Sequence, residues 1–282
     1  MTDTNTASNP LQGQPYEIVE RDGVRFTLLG TAHVSRASVD AVRAAVASGD
    51  YDSVAVELDA GRLQSLTDPD TLARLDLVKV IREGKTHLFA ANLALAAYQR
   101  RLAEQLGVEP GEELKAGALD AQARGLPVHL IDREVGLTFK RALQSLGWWQ
   151  RTKVGAGILA SMFGDEEVGD DEIEKLKQGD MLESSFGEFA AESPQLYQAI
   201  IAERDQYMAA ALRQITASKP TDAASPYRVL AVVGAGHLPG LTRHLKDDTA
   251  DPAELRSTLE VVKPKSRMPW MELVIGVFLI GC

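Results

Sequence analysis

The sequence predicts an α/β domain: a mainly parallel central sheet flanked by helices, with a helical insertion. Three observations carry that reading. An apolar run from Arg25 to Leu29 ends in Gly30-Thr31-Ala32-His33, and a second from Arg228 to Val233 ends in Gly234-Ala235-Gly236-His237, each followed by helical periodicity. The stretch from Val24 to Leu58 reads strand, helix, strand, a length that implies parallel pairing through a right-handed crossover. Charges gather where strands end, with Glu57 and Asp59 after one and Asp132-Arg133-Glu134 after another. Open α/β sheets collect their ligands at the carboxyl ends of their strands. Two Gly-x-x-His turns at that edge are therefore candidates for one shared site.

Taken in order, residues 1–22 form a polar N-terminal tail, without the basic and apolar regions of a secretory signal. Val24 to Leu29 is the first strand. Ser35 to Ala47 is a helix, with Ser35 as N-cap and Gly49 near its end. Tyr51 to Leu58 returns as a strand interrupted by Glu57, and a carboxylate in a buried strand needs a partner. That partner is either Arg62 or a helix N-terminus, or else Glu57 is functional. Asp70 to Gly125 is the helical insertion. Its Ala/Leu-rich part, Leu88 to Leu106, is apolar around most of its circumference and marks a buried helix or the interface of a homo-oligomer. Glu113, in a first turn, is either a site carboxylate or a complement to the helix dipole.

Pro127 to Ile131 is the next strand, and the amphipathic stretch from Leu137 to Phe163, with Trp148, Trp149, Lys140, Arg141, Arg151 and Lys153, faces lipid head groups, a peptide or the core, of which core packing is the favoured reading. The acidic run from Gly164 to Glu172 lacks EF-hand spacing and reads as a solvated linker. Pro194 to Ala217 is a long helix whose apolar stripe includes Leu196, Ile200, Met208, Leu212 and Ile215. Steps of three and four residues from Ile200 put Glu203 and Arg204 near that stripe, where charges are either paired or functional. Tyr227 to Val233 is the last strand and delivers His237, whereas His87, His129 and His244 are surface or structural.

A formal charge of -10 argues against nucleic acid as a partner, because phosphate binding needs a basic face. A lone cysteine, Cys282, excludes an intrachain disulfide and a cysteine-rich metal site. Any metal would take His and carboxylate ligands. After Lys263, Lys265 and Arg267 comes the chain's strongest apolar run, the 13 residues from Trp270 to Cys282. As a helix it reaches ~20 Å against a hydrocarbon core of ~30 Å, so it is either a buried terminal strand or helix or, the favoured reading, the beginning of a membrane span of a longer protein. The basic flank then places the preceding domain in the cytoplasm of a bacterial cell.

The motifs Gly30-Thr-Ala-His-Val-Ser35, Glu57-Leu-Asp-x-x-Arg62, Ile131-Asp-Arg133, Glu203-Arg-Asp-x-Tyr-Met208 and Val232-Val-Gly-Ala-Gly-His-Leu-Pro-Gly240 together resemble the TraB/PrgY family from about Val24 to Lys263. That family resembles in turn the Tiki metalloproteases, the ChaN-like proteins and the erythromycin esterases. The resemblance implies residues 23–263 as the domain and 264–282 as a basic linker and the start of a membrane segment. It also implies a role in shutting down peptide pheromones of conjugation. By likeness to the Tiki proteins, His33, His237 and Glu57 would be the site residues, and two imidazoles with a carboxylate suit a manganese, cobalt or zinc ion with an open position for water. Glu57 is then ligand or general base. Arg133 and Arg204 are expected to stabilise an oxyanion or clamp a peptide carboxylate, and Arg62, Glu203 and Tyr207 to bind substrate. Two other readings stay open: a metal-free hydrolase in which one histidine activates water and Glu57 orients it, and a module that binds a peptide without cleaving it.

Overall fold

A computed structural model describes residues 11, 13–31, 35–68, 111–147, 149–150, 193–218 and 226–262. Five strands form one sheet: β1 (Tyr16–Arg21), β2 (Val24–Thr31), β3 (Ser53–Val56), β4 (Val128–Leu130) and β5 (Tyr227–Gly234). Their spatial order is β1-β2-β5-β3-β4, with β1 antiparallel to β2 and every other neighbouring pair parallel. The expected α/β class is the observed one. The strands near Val24, Tyr51, Pro127 and Tyr227 are all present.

β1 corrects the sequence reading, which placed residues 16–21 in the tail. Arg21 pairs with Val24, leaving Asp22-Gly23 as a two-residue loop in which both residues have positive φ (51° and 74°). Asp-Gly favours that left-handed pair, the tight turn whose twist matches two antiparallel strands.

The helices lie in two layers. On one face α1 (Arg36–Ala47) and α3 (Glu112–Ala123) bring Val42, Val46, Leu114 and Ala118 against Leu29, Val54, Val56, Leu230 and Val232. On the other, α5 (Glu203–Ser218) and α6 (Leu238–Asp247) bring Met208, Leu212, Leu241 and Leu245 against Phe26, Leu28, Val229, Ala231 and Val233. Alternate residues of β2 and β5 thus face opposite cores. Burial on both faces is why these strands read as continuous apolar runs. Further helices are α2 (Ala60–Thr67), α4 (Val135–Ser145) and α7 (Pro252–Glu260), and a short helical turn, Pro194–Tyr197, runs through a π-helical turn, Gln198–Ala202, into α5. Ser35 caps α1 as expected, its side chain accepting from the Ser38 backbone N–H.

Of the expected insertion, residues 70–110 lie outside the described residues, while its end, α3, packs directly on the sheet. The Ala/Leu-rich stretch, the acidic run and the apolar C-terminal run also lie outside them. Among the described residues no helix is long and apolar enough to cross a membrane.

Candidate functional site

The ends of β3, β4 and β5 meet the first turn of α5. Past the end of β5 a 3-10 turn, Ala235–His237, leads into α6 and carries the imidazole of His237 inward, 4% exposed. The close approach of this turn explains Gly30, which lies inside β2 rather than in a turn: a Cβ there would stand 3.0 Å from Leu238 Cγ and 3.1 Å from Ala235 Cα. Glu57 follows β3 directly and is 2% exposed, its Oε2 accepting the Gly234 backbone N–H at 2.7 Å. Asp132 follows β4 one residue later, after the buried Ile131.

Three consecutive residues of α5 then go three ways. Arg204 Nη2 donates to Glu57 Oε1 at 2.5 Å and to Asp132 Oδ2 at 2.7 Å, while its Nε donates to Asp132 Oδ1 at 2.9 Å. Its Nη1 stands 3.2 Å from His237 Nε2. Asp205 holds the other side of the imidazole, with His237 Nδ1 at 2.5 Å from Asp205 Oδ1. A proton on Nδ1 satisfies Asp205 and leaves Nε2 as acceptor, facing Arg204 and, at 3.4 Å, Glu57 Oε1. Asp205 in turn packs on Gly240 of α6, where any Cβ would run into its carboxylate. Glu203 turns away to Arg133 and Arg141.

The charges reinforce one another. Burial disfavours the charged imidazole, but the negative charge of Glu57 and the bond to Asp205 outweigh it, so His237 is more basic than an ordinary histidine even with Arg204 opposing. Burial likewise raises the Asp205 carboxyl, and the bond to His237 only partly offsets this. For Arg204, desolvation is overcome by the charges of Glu57 and Asp132, and the guanidinium is held more firmly protonated than usual.

The structure therefore brings together three expected site residues, Glu57, Arg204 and His237. His33 lies outside the described residues; the register pairs Thr31, two residues before it, with Gly234. Arg133 is elsewhere. Its Nε donates to Thr138 Oγ1, its Nη1 to Glu203 Oε2 and the Leu259 carbonyl, and its Nη2 to the Ala199 carbonyl. Successive side chains of an extended segment point opposite ways, so Asp132 serves the site and Arg133 does not. Glu203 is bound in that same staple, where Arg141 and Arg133 hold its carboxyl below the usual range against the effect of burial. Tyr207 donates to Glu260 Oε1 and accepts from Arg256 Nη2, both at 2.7 Å, which ties it to α7. Arg62 lies in α2, where its backbone N–H is capped by Asp59 Oδ1. The cation beside Glu57 is thus Arg204, from a helix 147 residues away in sequence.

Sequence reasoning missed Asp205. Its signal was the run Glu203-Arg204-Asp205 opening an otherwise apolar helical stripe, directly after a π-helical turn, Gln198–Ala202, a form of irregularity frequent at functional sites. Glu57 Oε1 and His237 Nε2 stand 3.4 Å apart and the Arg204 guanidinium contacts both, so an ion held by the two would have to take the place of those contacts. No group of three His, Cys, Asp or Glu side chains disposed around a metal position occurs among the described residues.

Comparison with known proteins agrees with the motifs. The TraB/PrgY/gumN family profile matches residues 17–252. An uncharacterized protein of Methanocaldococcus jannaschii is 33% identical over 254 residues, covering 89% of this chain and 61% of its own. TraB domain-containing proteins of Bos taurus and Homo sapiens are 33% and 32% identical over 249 residues, covering 82% of this chain and 65% of theirs. The chain spans less than two thirds of the length of these relatives. With its fold, its ordered motifs and these matches in agreement, the chain belongs to the TraB/PrgY/gumN family.

Proposed function

We propose that this domain is a hydrolase of peptide or ester bonds in which His237 is the general base. The observation that supports this best is the 2.5 Å contact of His237 Nδ1 with Asp205, which orients the ring and leaves Nε2 as acceptor at the carboxyl edge of a parallel sheet. In this reading Nε2 takes a proton from water as the water attacks the substrate carbonyl, and the imidazolium then donates that proton from Nε2 to the leaving amine or alkoxide as its bond to the carbonyl carbon breaks, with Glu57 fixing Arg204 beside the ring. Asp205 stabilises the positive ring without itself taking the proton, and Arg204 lends positive charge to the developing oxyanion. A peptide or ester panel tests it. His237→Ala and Asp205→Asn should lower turnover by about 10²–10⁴-fold, the worth of a positioned acid-base group; turnover equal to wild type in either folded variant overturns the reading.

The metal-dependent alternative takes His33, His237 and Glu57 as ligands of manganese, cobalt or zinc, and the pairing of Thr31 with Gly234 favours it. It requires Arg204 to withdraw. Relatives in an archaeon and in mammals weigh against a substrate confined to bacterial conjugation. We further propose attachment to a membrane through Trp270 to Cys282, with the domain on the cytoplasmic side, supported by the basic residues Lys263, Lys265 and Arg267 before the run. Protease added to intact cells should leave the domain whole; its removal overturns that sidedness.

A further inference from the structure

We propose that one face of α4 rests on an anionic lipid surface. Val135, Phe139 and Leu143 repeat at four-residue steps, so they share one side of the helix, and all three are open to solvent at 45–51% exposure. Trp149, just beyond the helix, is 72% exposed, and Val261 at the end of α7 is 56% exposed. Single exposed apolar residues mean little, but an aligned stripe marks an interaction surface. The opposite side of α4 is anchored, with Thr138 and Ala142 buried and Arg141 tied to Glu203. The stripe is therefore held facing outward.

The position of the chain beyond α7 argues for lipid as the occupant. Arg141 Nη1 donates to the Val261 carbonyl, which fixes the end of α7 against α4. From there the sequence runs through Lys263, Lys265 and Arg267 to the apolar run that starts at Trp270. Eight residues, or nine steps along the chain, separate Val261 from Trp270, an extended reach of at most about 32 Å. If the apolar run enters a bilayer, the end of α7 and the neighbouring stripe stay within that distance of its surface. Exposed Lys140, between stripe residues, and the three basic residues after α7 suit an anionic headgroup layer, which attracts lysine and arginine held near its surface. Apolar side chains beside basic ones form the usual composition of a helix lying in the interface plane. This inference rests on the membrane attachment proposed above.

The test uses the full chain with Cys282→Ser, so that one new cysteine carries an environment-sensitive fluorophore. Phe139→Cys and Leu143→Cys probe the stripe, and Asp40→Cys, exposed on α1 in the opposite layer, is the control. On adding vesicles of phosphatidylcholine with phosphatidylserine, the two stripe probes should shift to the blue and the control should not. Vesicles of phosphatidylcholine alone should give a smaller shift. Protein that cosediments with vesicles while no stripe probe shifts overturns the docking face and leaves the attachment standing. Absence of cosedimentation overturns both. Stripe probes already blue-shifted without lipid mean that another part of the chain or a second copy covers the face, which also overturns the proposal.

Discussion

Asp205 shows how much a single carboxylate decides. Removing its charge by Asp205→Asn frees the imidazole to adopt the other tautomer, and the structure gives a second way to disturb it without touching a charged group. Gly240→Ala adds one methyl group where the Asp205 carboxylate packs, so either α6 or the carboxylate must shift. Because that carboxylate is pinned to His237, the expected outcome is a loss of turnover at least tenfold greater than any loss of folded protein, read by kcat beside thermal unfolding. Gly240→Ser, of similar bulk, should do the same. Arg133 behaves otherwise. Its side chain is enclosed and its nitrogens are taken up by Thr138, Glu203 and two backbone carbonyls, so Arg133→Ala leaves the Ala199 and Leu259 carbonyls and the Thr138 hydroxyl without that donor and Glu203 with Arg141 alone. Destabilisation of about 1–3 kcal/mol is expected in denaturant titration, the cost of leaving buried polar groups unpaired, with a loss of activity per folded molecule far smaller than that of His237→Ala. Sequence alone ranked Arg133 with Arg204, since both sit in charged motifs, and it could not tell which of two neighbouring side chains turns inward.

At the scale of elements, the site is set by where α5 begins. Arg133 and Arg141 hold Glu203 and also the Leu259 and Val261 carbonyls, so α4, α5 and the end of α7 are joined one residue before Arg204. The Glu203 carboxyl is held below its ordinary value of 4.5. A depressed carboxylate contributes stability that is complete above that value and is lost as pH falls through the lower folded one. The difference in melting temperature between wild type and Glu203→Gln should therefore be constant from neutral pH to about pH 5 and shrink below it. A difference that grows on acidification contradicts the staple. The main strands were legible because burial on both faces writes a continuous apolar run, and α1 because Ser35 announces its cap. β1 was legible too, in the Asp22-Gly23 turn and the apolar Ile18 and Val19, but it alternates with charged residues and was absorbed into the polar tail. The partner of Glu57 was not legible, because an ion pair across 147 residues is a property of the fold and Arg62 was the nearer cation in sequence.

For the whole molecule, the site sits where topology predicts, at the carboxyl ends of β3, β4 and β5, with β5 in the middle of the sheet. The two-glycine symmetry that organised the sequence survives in the register, since Thr31 and Gly234 are partners, but the chemistry in the described residues is asymmetric. Arg204, Asp205 and Asp132 surround the second histidine with charge supplied by other elements. That arrangement can run acid-base chemistry on its own residues, whereas a shared ion between Glu57 and His237 would displace the guanidinium that now joins them. Hydrolysis by untagged protein, measured before and after exhaustive chelation, separates the two mechanisms most directly. General-base catalysis by His237 predicts the same kcat in both samples and its loss in His237→Ala; activity that disappears on chelation and returns with manganese, cobalt or zinc would contradict it.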